Sequence, residues 1–357
     1  MKKCILAVIA IAAMALVVGC SGSKKDEQQP TFTLAWSEYP SWSVFGVAQE
    51  KGLIGKNGEG TIEKKYGIII NLKQADYDAC ITLYASGAVD ANCQTNIDSL
   101  APALGRNSVM VLPTSTSVGA DACIAVGFND AINKQSVVDF LKSKSTFGLE
   151  KSVSQYVFER NLVLMNGNLK PNELNFRNMD PAAAAQAMQT GQPNINSIMV
   201  WNPFVLQTLR TRKDSKVLFD SAAIPEEVID SIVIAKDVLN KEKGSEFAKA
   251  LIETYLEVCK MMDDPKQADE TYVALGAKFS NLNAADMRIV CQQTRFYNSP
   301  EKGLALMRSQ KFRNETMPMI MDFCTSHGMI DKKPSVGFND AASQLNFDDS
   351  YLKEFKK

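Results

Sequence analysis

The sequence predicts an α/β protein: two α/β lobes joined by a hinge that the chain crosses twice, followed by a helical tail. Three observations predict it. Short apolar runs alternate with helical stretches from Thr31 to about Val118, which implies strands with helical crossovers. The alternation restarts from about Gly119 to Asp220, with Gly and Pro marking most corners. A single Val/Ile-rich strand from Val228 to Ala235 comes next, and the pattern after it is helical to the end. A strand returning after a second lobe makes the first lobe discontinuous, 31–118 with 221–357, and leaves 119–220 as the second. The two crossings, near Val118 to Ala122 and near Asp220 to Asp230, form a hinge, and a cleft between hinged lobes suits the trapping of a small molecule.

The chain opens with Lys2 and Lys3 ahead of an apolar run from Ile5 to Val18. That run is too short for a comfortable membrane span and matches a signal peptide. It ends in Leu16-Val17-Val18-Gly19-Cys20, which resembles the bacterial lipobox. Residues 1–20 are therefore read as a lipoprotein signal with Cys20 as the lipidated residue. Residues 21–30 are polar and poor in apolar side chains, the composition of a flexible tether. No later run is long enough to cross a bilayer, so the expectation is a lipid-anchored protein of the bacterial envelope, facing the periplasm or the exterior.

In the first lobe, strands are expected at Phe32 to Trp36, Ile68 to Lys73, Val89 to Gln94 and Val109 to Pro113. Helices are expected at Ser43 to Lys51, Asp78 to Ser86 and Asp98 to Leu104. The second lobe should hold strands at Ala122 to Val126, Thr146 to Leu149, Leu174 to Phe176, Ser197 to Trp201 and Val217 to Phe219. Its helices are expected at Ser136 to Lys142, Ser152 to Met165, Pro181 to Thr190 and Asn202 to Thr211. Alternation of this kind implies parallel strands. In the tail, Phe247, Leu251, Tyr255, Val258 and Met262 share one face of a helix from Gly244 to Met262. The segment Met317 to Phe323 has Pro318 at a helix start and reads as packing rather than a methionine recruitment surface.

At 357 residues the chain is long enough for two or three units of about 150 residues. Its 39 basic and 40 acidic residues argue for neither nucleic acid nor a polyanionic partner. Six cysteines remain beyond Cys4 and Cys20, widely spaced and without a CxxC pair. An exported compartment permits disulfides, so bridges and buried free thiols both stand open. His327 is the only histidine, which argues against a Cys/His zinc site and against a His-dependent triad. No cofactor is implied.

All three tryptophans fall at junctions between a strand end and a helix. Trp36 ends the first strand, and a polar turn with Glu38, Tyr39 and Pro40 leads through Trp42 into a helix capped by Ser41 or Ser43. Trp201 ends a later strand before Asn202 and Pro203, which read as a cap and first helical position. Ligands bind open α/β sheets at this edge, beyond the carboxyl ends of the strands. The indoles are thus expected to line a pocket.

Several segments together resemble a known family. They are WSEYPSW at 36–42, VAQEKGLI at 47–54, EKKYGIII at 63–70, SGAVDA at 86–91, TNIDSLAP at 95–102 and TSTSVGADACIAV at 114–126. NMDPAAAAQAMQTG at 178–191, VWNPF at 200–204 and DSIVIAKD at 230–237 fit the same order. The series is similar to the nitrate/taurine/sulfonate solute-binding proteins of ABC importers, a class that includes binders of thiamine-pyrimidine precursors. The resemblance implies a type II periplasmic-binding-protein fold, a monomer, and a permease with its ATPase as partners. It runs to about Cys259 and weakens in the tail. One departure stands out: where the family often opens a second-lobe helix with a GS or GT pair that holds a ligand anion, this chain reads Glu150-Lys151-Ser152-Val153-Ser154. Pyrimidine synthases related to this class use a histidine and clustered cysteines, which this sequence lacks, so an enzyme is not expected. A receptor that reports ligand to a membrane kinase would use the same closure.

Across the segments expected at the cleft, the acidic residues are Glu38, Asp98, Asp121 and Glu150, and the only basic one is Lys151. A site for sulfonate or nitrate would ordinarily offer Arg or Lys. The expected ligand is therefore a neutral or cationic, nitrogen-bearing organic solute, held by Trp36, Tyr39, Trp42 and Trp201 with Asp98 or Asp121 as charge partner. Glu38, Asn96, Ser117, Ser152, Gln155 and Asn202 complete the candidate set. Asp98 reads equally as the N-cap of its own helix, and Asp121 as a turn or hinge residue.

Overall fold

The computed structural model describes residues 29–170 and 173–356; the signal, Cys20 and all but the end of the tether lie outside them. The first lobe begins β1 (Thr31–Trp36), α1 (Val44–Glu50), α2 (Thr61–Tyr66), β2 (Ile69–Gln74), α3 (Tyr77–Ala85), β3 (Ala91–Thr95), α4 (Leu100–Ala103) and β4 (Ser108–Ser117). The second lobe runs β5 (Asp121–Val126), α5 (Lys134–Ser143), β6 (Thr146–Gly148), α6 (Val153–Met165), β7 (Phe176–Asn178), α7 (Pro181–Gln189), β8 (Ser197–Trp201), α8 (Phe204–Thr211) and β9 (Ser215–Asp220). The chain then returns through β10 (Ile229–Ala235) to α9 (Lys236–Leu239), α10 (Gly244–Asp263), α11 (Ala268–Ala277) and α12 (Ala284–Gln292). It ends with β11 (Thr294–Phe296), α13 (Pro300–Arg308), α14 (Met317–Ser326), β12 (Val336–Phe338), β13 (Leu345–Phe347) and α15 (Ser350–Lys353).

Two sheets organise these elements. The first has the path β12-β13-β4-β10-β3-β1-β2 with β11 beside β4, and the second is β7-β6-β8-β5-β9. Both are mixed, which corrects the expectation of parallel strands. In the first, β1 pairs in parallel with β2 and β3, while β10 lies antiparallel between β3 and β4. In the second, β6 pairs in parallel with β7 and β8, while β5 lies antiparallel between β8 and β9. β5 and β10 are the strands that have just passed from one lobe to the other, so each enters its sheet from the cleft edge and runs away from it, and β11 of the tail is also antiparallel to β4. Periodicity reports that a strand exists but carries no information about its direction.

The tail is the second correction, because it is not helical throughout. It adds β11, β12 and β13 to the first sheet, each only three residues long and too short for an alternation signal. Elsewhere the pattern translates directly into packing. The apolar stripe of α10 is buried against the first lobe, with Phe247 stacked on Phe32 at 4.6 Å between ring centroids. Met317, Ile320 and Phe323 are buried on α14. The six cysteines beyond the signal are free thiols, and only Cys291 is not fully buried. No helix among the described residues is long and apolar enough to cross a membrane.

Candidate functional site

The carboxyl ends of the parallel strands in the two sheets meet at one cleft, and β5 and β10 start there because they run the opposite way. Their first residues therefore bring two acids to the same edge. Asp121 opens β5 opposite Trp201, and Asp230, second in β10, lies opposite Thr95 and Ser115. Between them is a closed-in cavity. Tyr39, Trp42, Tyr77, Thr95, Val228 and Asp230 line it from the first lobe and the returning chain, and Asp121, Val153 and Trp201 from the second. Only about 10 Å³ is open to the centre of a water molecule, close to the room one water needs.

The aromatic rings form a continuous series across the cleft. Tyr39 and Trp42 are 4.8 Å apart, Trp42 stacks on Tyr77 at 5.4 Å, and Tyr77 meets Trp201 of the second lobe edge-on at 5.7 Å. Such pairs contribute about 0.5–1.5 kcal/mol each beyond the area they bury. The Tyr39 hydroxyl and the Trp42 Nε1 are buried without a hydrogen-bond partner. Buried polar groups are ordinarily paired, so these two are free to meet a solute.

The lining contains two carboxylates and no Lys, Arg or His. Burial pushes Asp121 up to about 6, against a hydrogen bond from Ser117 that works the other way. Burial also holds Asp230 well above the ordinary carboxylate range, with Ser115 opposing and the Asp121 charge adding to the rise. A cation between the two acids would remove that cost. The acids do not form a metal cluster: among the described residues no three His, Cys, Asp or Glu side chains are grouped to hold an ion. Outside the cavity the cleft widens to about 450 Å³, where Tyr77 and Trp201 are joined by Glu38, Asp76, Asp78 and Asp180, again without a basic residue. A separate pocket of about 410 Å³ lies at Val118 and otherwise among tail residues such as Tyr272 and Lys302, away from the aromatic series.

Of the residues named from sequence, the structure brings Tyr39, Trp42, Asp121 and Trp201 into the cavity and Glu38 to its mouth, where Ser280 donates to Glu38 at 2.8 Å. Trp36 is buried beside Gly46, outside the lining. Asn96 ties the returning chain, accepting from Ile229 N–H at 2.9 Å and donating to the Glu227 carbonyl at 3.0 Å. Ser117 donates to Asp121 and lies 2.6 Å from the Ser221 hydroxyl, at the two hinge crossings. Ser152 caps α6, accepting from Ser154 N–H at 3.1 Å. Gln155 accepts from Lys151 N–H and donates to the buried Glu159 one turn along the same helix. Asn202 is buried and reaches Gln293 of the tail at 2.7 Å. Ser43 occupies the cap position of α1 without a capping bond and donates instead to the Lys278 carbonyl.

Asp98 is not the cap of its own helix, which starts from Ser99. Its carboxylate accepts from the Tyr77 hydroxyl at 2.7 Å, from Thr95 at 2.9 Å and, across the cleft, from Val153 N–H at 3.3 Å. Sequence reasoning missed Tyr77, Thr95, Val153, Val228 and Asp230. A lone acid near the start of an otherwise Val/Ile-rich strand was the available signal for Asp230, and Tyr77 sits at the same kind of strand-to-helix junction as the tryptophans.

The tail reaches both lobes. Arg210 of α8 makes a paired ion contact with Asp286 of α12, and Tyr156 of α6 packs edge-on against Phe323 of α14 at 5.3 Å. Glu227, in the second crossing, accepts from Tyr156 at 2.6 Å and from both ends of the Arg160 guanidinium at 3.0 and 3.1 Å.

No protein-family model matches the chain, and no curated protein sequence does. Solved structures do. The alkanesulfonate-binding protein SsuA from Xanthomonas axonopodis pv. citri bound to MOPS aligns with a TM-score of 0.65 at 12% identity, over 85% of this chain and 95% of that one. The ligand binding component of an ABC-type import system from Staphylococcus aureus gives 0.64 at 14%, over 92% and 99%. The periplasmic nitrate-binding protein NrtA from Synechocystis PCC 6803 gives 0.56 at 13%, over 92% and 88%. Structural neighbours of the chain thus include sulfonate-binding and nitrate-binding proteins, and its own fold is the two-lobed α/β fold of periplasmic binding proteins.

Proposed function

We propose that the protein is the extracytoplasmic solute-binding lipoprotein of an ABC importer, anchored through Cys20, and that its lobes close on a small, nitrogen-bearing organic cation for delivery to a permease. One observation carries the choice of solute: aromatic rings and two buried acids converge on a cavity that has no basic residue. A protonated amine, amidine or guanidine would stand against the rings of Tyr39, Trp42, Tyr77 and Trp201 while its N–H groups meet Asp121 and Asp230. Each cation–π contact contributes about 0.5–2 kcal/mol in a desolvated site. Several such contacts with the carboxylates reach the roughly 8 kcal/mol of micromolar binding. The small cavity favours a compact solute, and the acidic mouth raises the local concentration of cations. Closure is then a population shift equal to the solute's preference for closed over open lobes.

A thermal-shift screen followed by calorimetry checks this reading, with amines, amidines, guanidines, pyrimidines, sulfonates and nitrate as the panel. Members of the cationic classes are expected to bind at micromolar affinity. Tight taurine or nitrate binding, with every amine and amidine silent, overturns it. Lipid labelling of the full chain should disappear in Cys20→Ala. An adjacent permease and ATPase in the genome support import, whereas an adjacent histidine kinase points to sensing.

A further inference from the structure

We propose that Asp98 is a specificity-determining residue that excludes anions, its carboxylate serving as a built-in counter-charge at the N-terminus of α6. The inference deepens the binding reading above and rests on it for the cleft's being a solute site.

The geometry comes from both lobes. α6 is a helix of 13 residues whose first residue, Val153, lines the cavity. Free N–H groups and the helix dipole make such an end an anion site. Here the first of them, Val153 N–H, is taken by Asp98 of the first lobe at 3.3 Å. The next, Ser154 N–H, is taken by the Ser152 hydroxyl at 3.1 Å. The carboxylate is held in place by Tyr77 and Thr95, which donate to the same oxygen at 2.7 and 2.9 Å, and it is 6% exposed.

A second observation lies in the same helix turn. The Ser154 hydroxyl is fully buried and has no hydrogen-bond partner. The end of α6 therefore keeps a polar group unused while its leading N–H is spent on a side chain of the protein itself. Val153 also lines the cavity, so a sulfonate or nitrate seeking this helix end would meet Asp98 already seated there. Two like charges cannot share one helix terminus without repulsion in a dry site. The arrangement serves closure as well, because the same carboxylate joins the lobes and fixes Tyr77, whose ring meets both Trp42 and Trp201.

The test uses the full mature chain with Asp98→Ala and Asp98→Asn, and titrates each with ethanesulfonate, sulfate and the amine, amidine and guanidine panel. The wild type is expected to show no ethanesulfonate binding up to millimolar concentration. Asp98→Ala should gain at least tenfold in ethanesulfonate affinity, and Asp98→Asn, which loses the charge but keeps a hydrogen-bond acceptor, should gain less. Circular dichroism and melting temperature report folding, and if Asp98→Ala does not fold, the asparagine variant decides. Folded variants as blind to both anions as the wild type overturn the proposal. So does a wild type that already binds ethanesulfonate as well as its variants do. Failure of the binding reading looks different: no cation in the panel binds the wild type, whatever the variants do with anions.

Discussion

Asp121 and Asp230 are the residues whose chemistry is most exposed to measurement, because folding itself penalises their charge. Asp121 is fully buried and raised from about 3.8 to about 6. An acid raised by folding contributes stability below its unfolded pKa, and that contribution is lost as pH rises through the folded value. A rise of that size corresponds to roughly 3 kcal/mol. Asp121→Asn is therefore expected to raise stability to denaturant by about 2–3 kcal/mol at pH 7.5 and to change it little at pH 3.5. On the proposed binding reading the same substitution should weaken cation binding at least tenfold. In the wild type, cation affinity should fall by up to about tenfold per pH unit below pH 6, as the proton competes for Asp121. Calorimetry between pH 5 and pH 7.5 checks this, and a flat profile there contradicts a carboxylate role in binding.

Among the elements, α6 and the second hinge crossing are joined by one network. Glu227 is the acceptor for both Tyr156 and Arg160, and the Arg160–Glu227 pair has 18% and 11% of its side chains exposed. Removing one partner of a largely buried pair strands the other, at a cost of about 3 kcal/mol. Glu227→Ala should thus lower stability by that order in urea unfolding, and a change under 1 kcal/mol would show that water replaces the carboxylate. The contact between α8 and α12 is of a different kind. Arg210 is 45% exposed and Asp286 12%, so the pair is worth at most about 1 kcal/mol. Arg210→Ala is expected to leave the melting temperature almost unchanged and to weaken solute binding about two- to fivefold, because the contact links the tail to the second lobe. Equal affinity for mutant and wild type removes it from closure.

At the level of the whole molecule, two sheets meet edge to edge across strands that change lobe. Trp42 and Trp201 line the cavity from opposite lobes, so the proposed closure would change the surroundings of both. Solute binding should shift the intrinsic fluorescence and reduce the radius of gyration measured by small-angle scattering. Trp201→Phe should remove a large part of the fluorescence change while the decrease in radius remains. A radius insensitive to saturating solute is incompatible with a hinged mechanism.

Periodicity and turn chemistry by themselves determined most of the element series, because a longer strand or helix writes its burial pattern into consecutive positions, though the six-residue α2 was not expected. They also placed Trp201 at a strand end and Tyr39 and Trp42 in the turn after one, the edge at which open α/β sheets take ligands, and named Asp121 only as a turn residue ahead of its strand. Strand direction was decided only in three dimensions, because a reversed strand and a parallel one bury the same alternate residues. That is why Asp230 escaped notice: it stands near the start of β10, and only the antiparallel pairing with β3 and β4 brings a strand's beginning to the binding edge. The three-residue strands of the tail, the bond from Val153 to Asp98 and the contact of Arg210 with Asp286 are likewise tertiary facts. Apart from the pairing of β12 with β13, nine positions away, each joins residues tens of positions apart or more, and no local pattern encodes a partner at that distance.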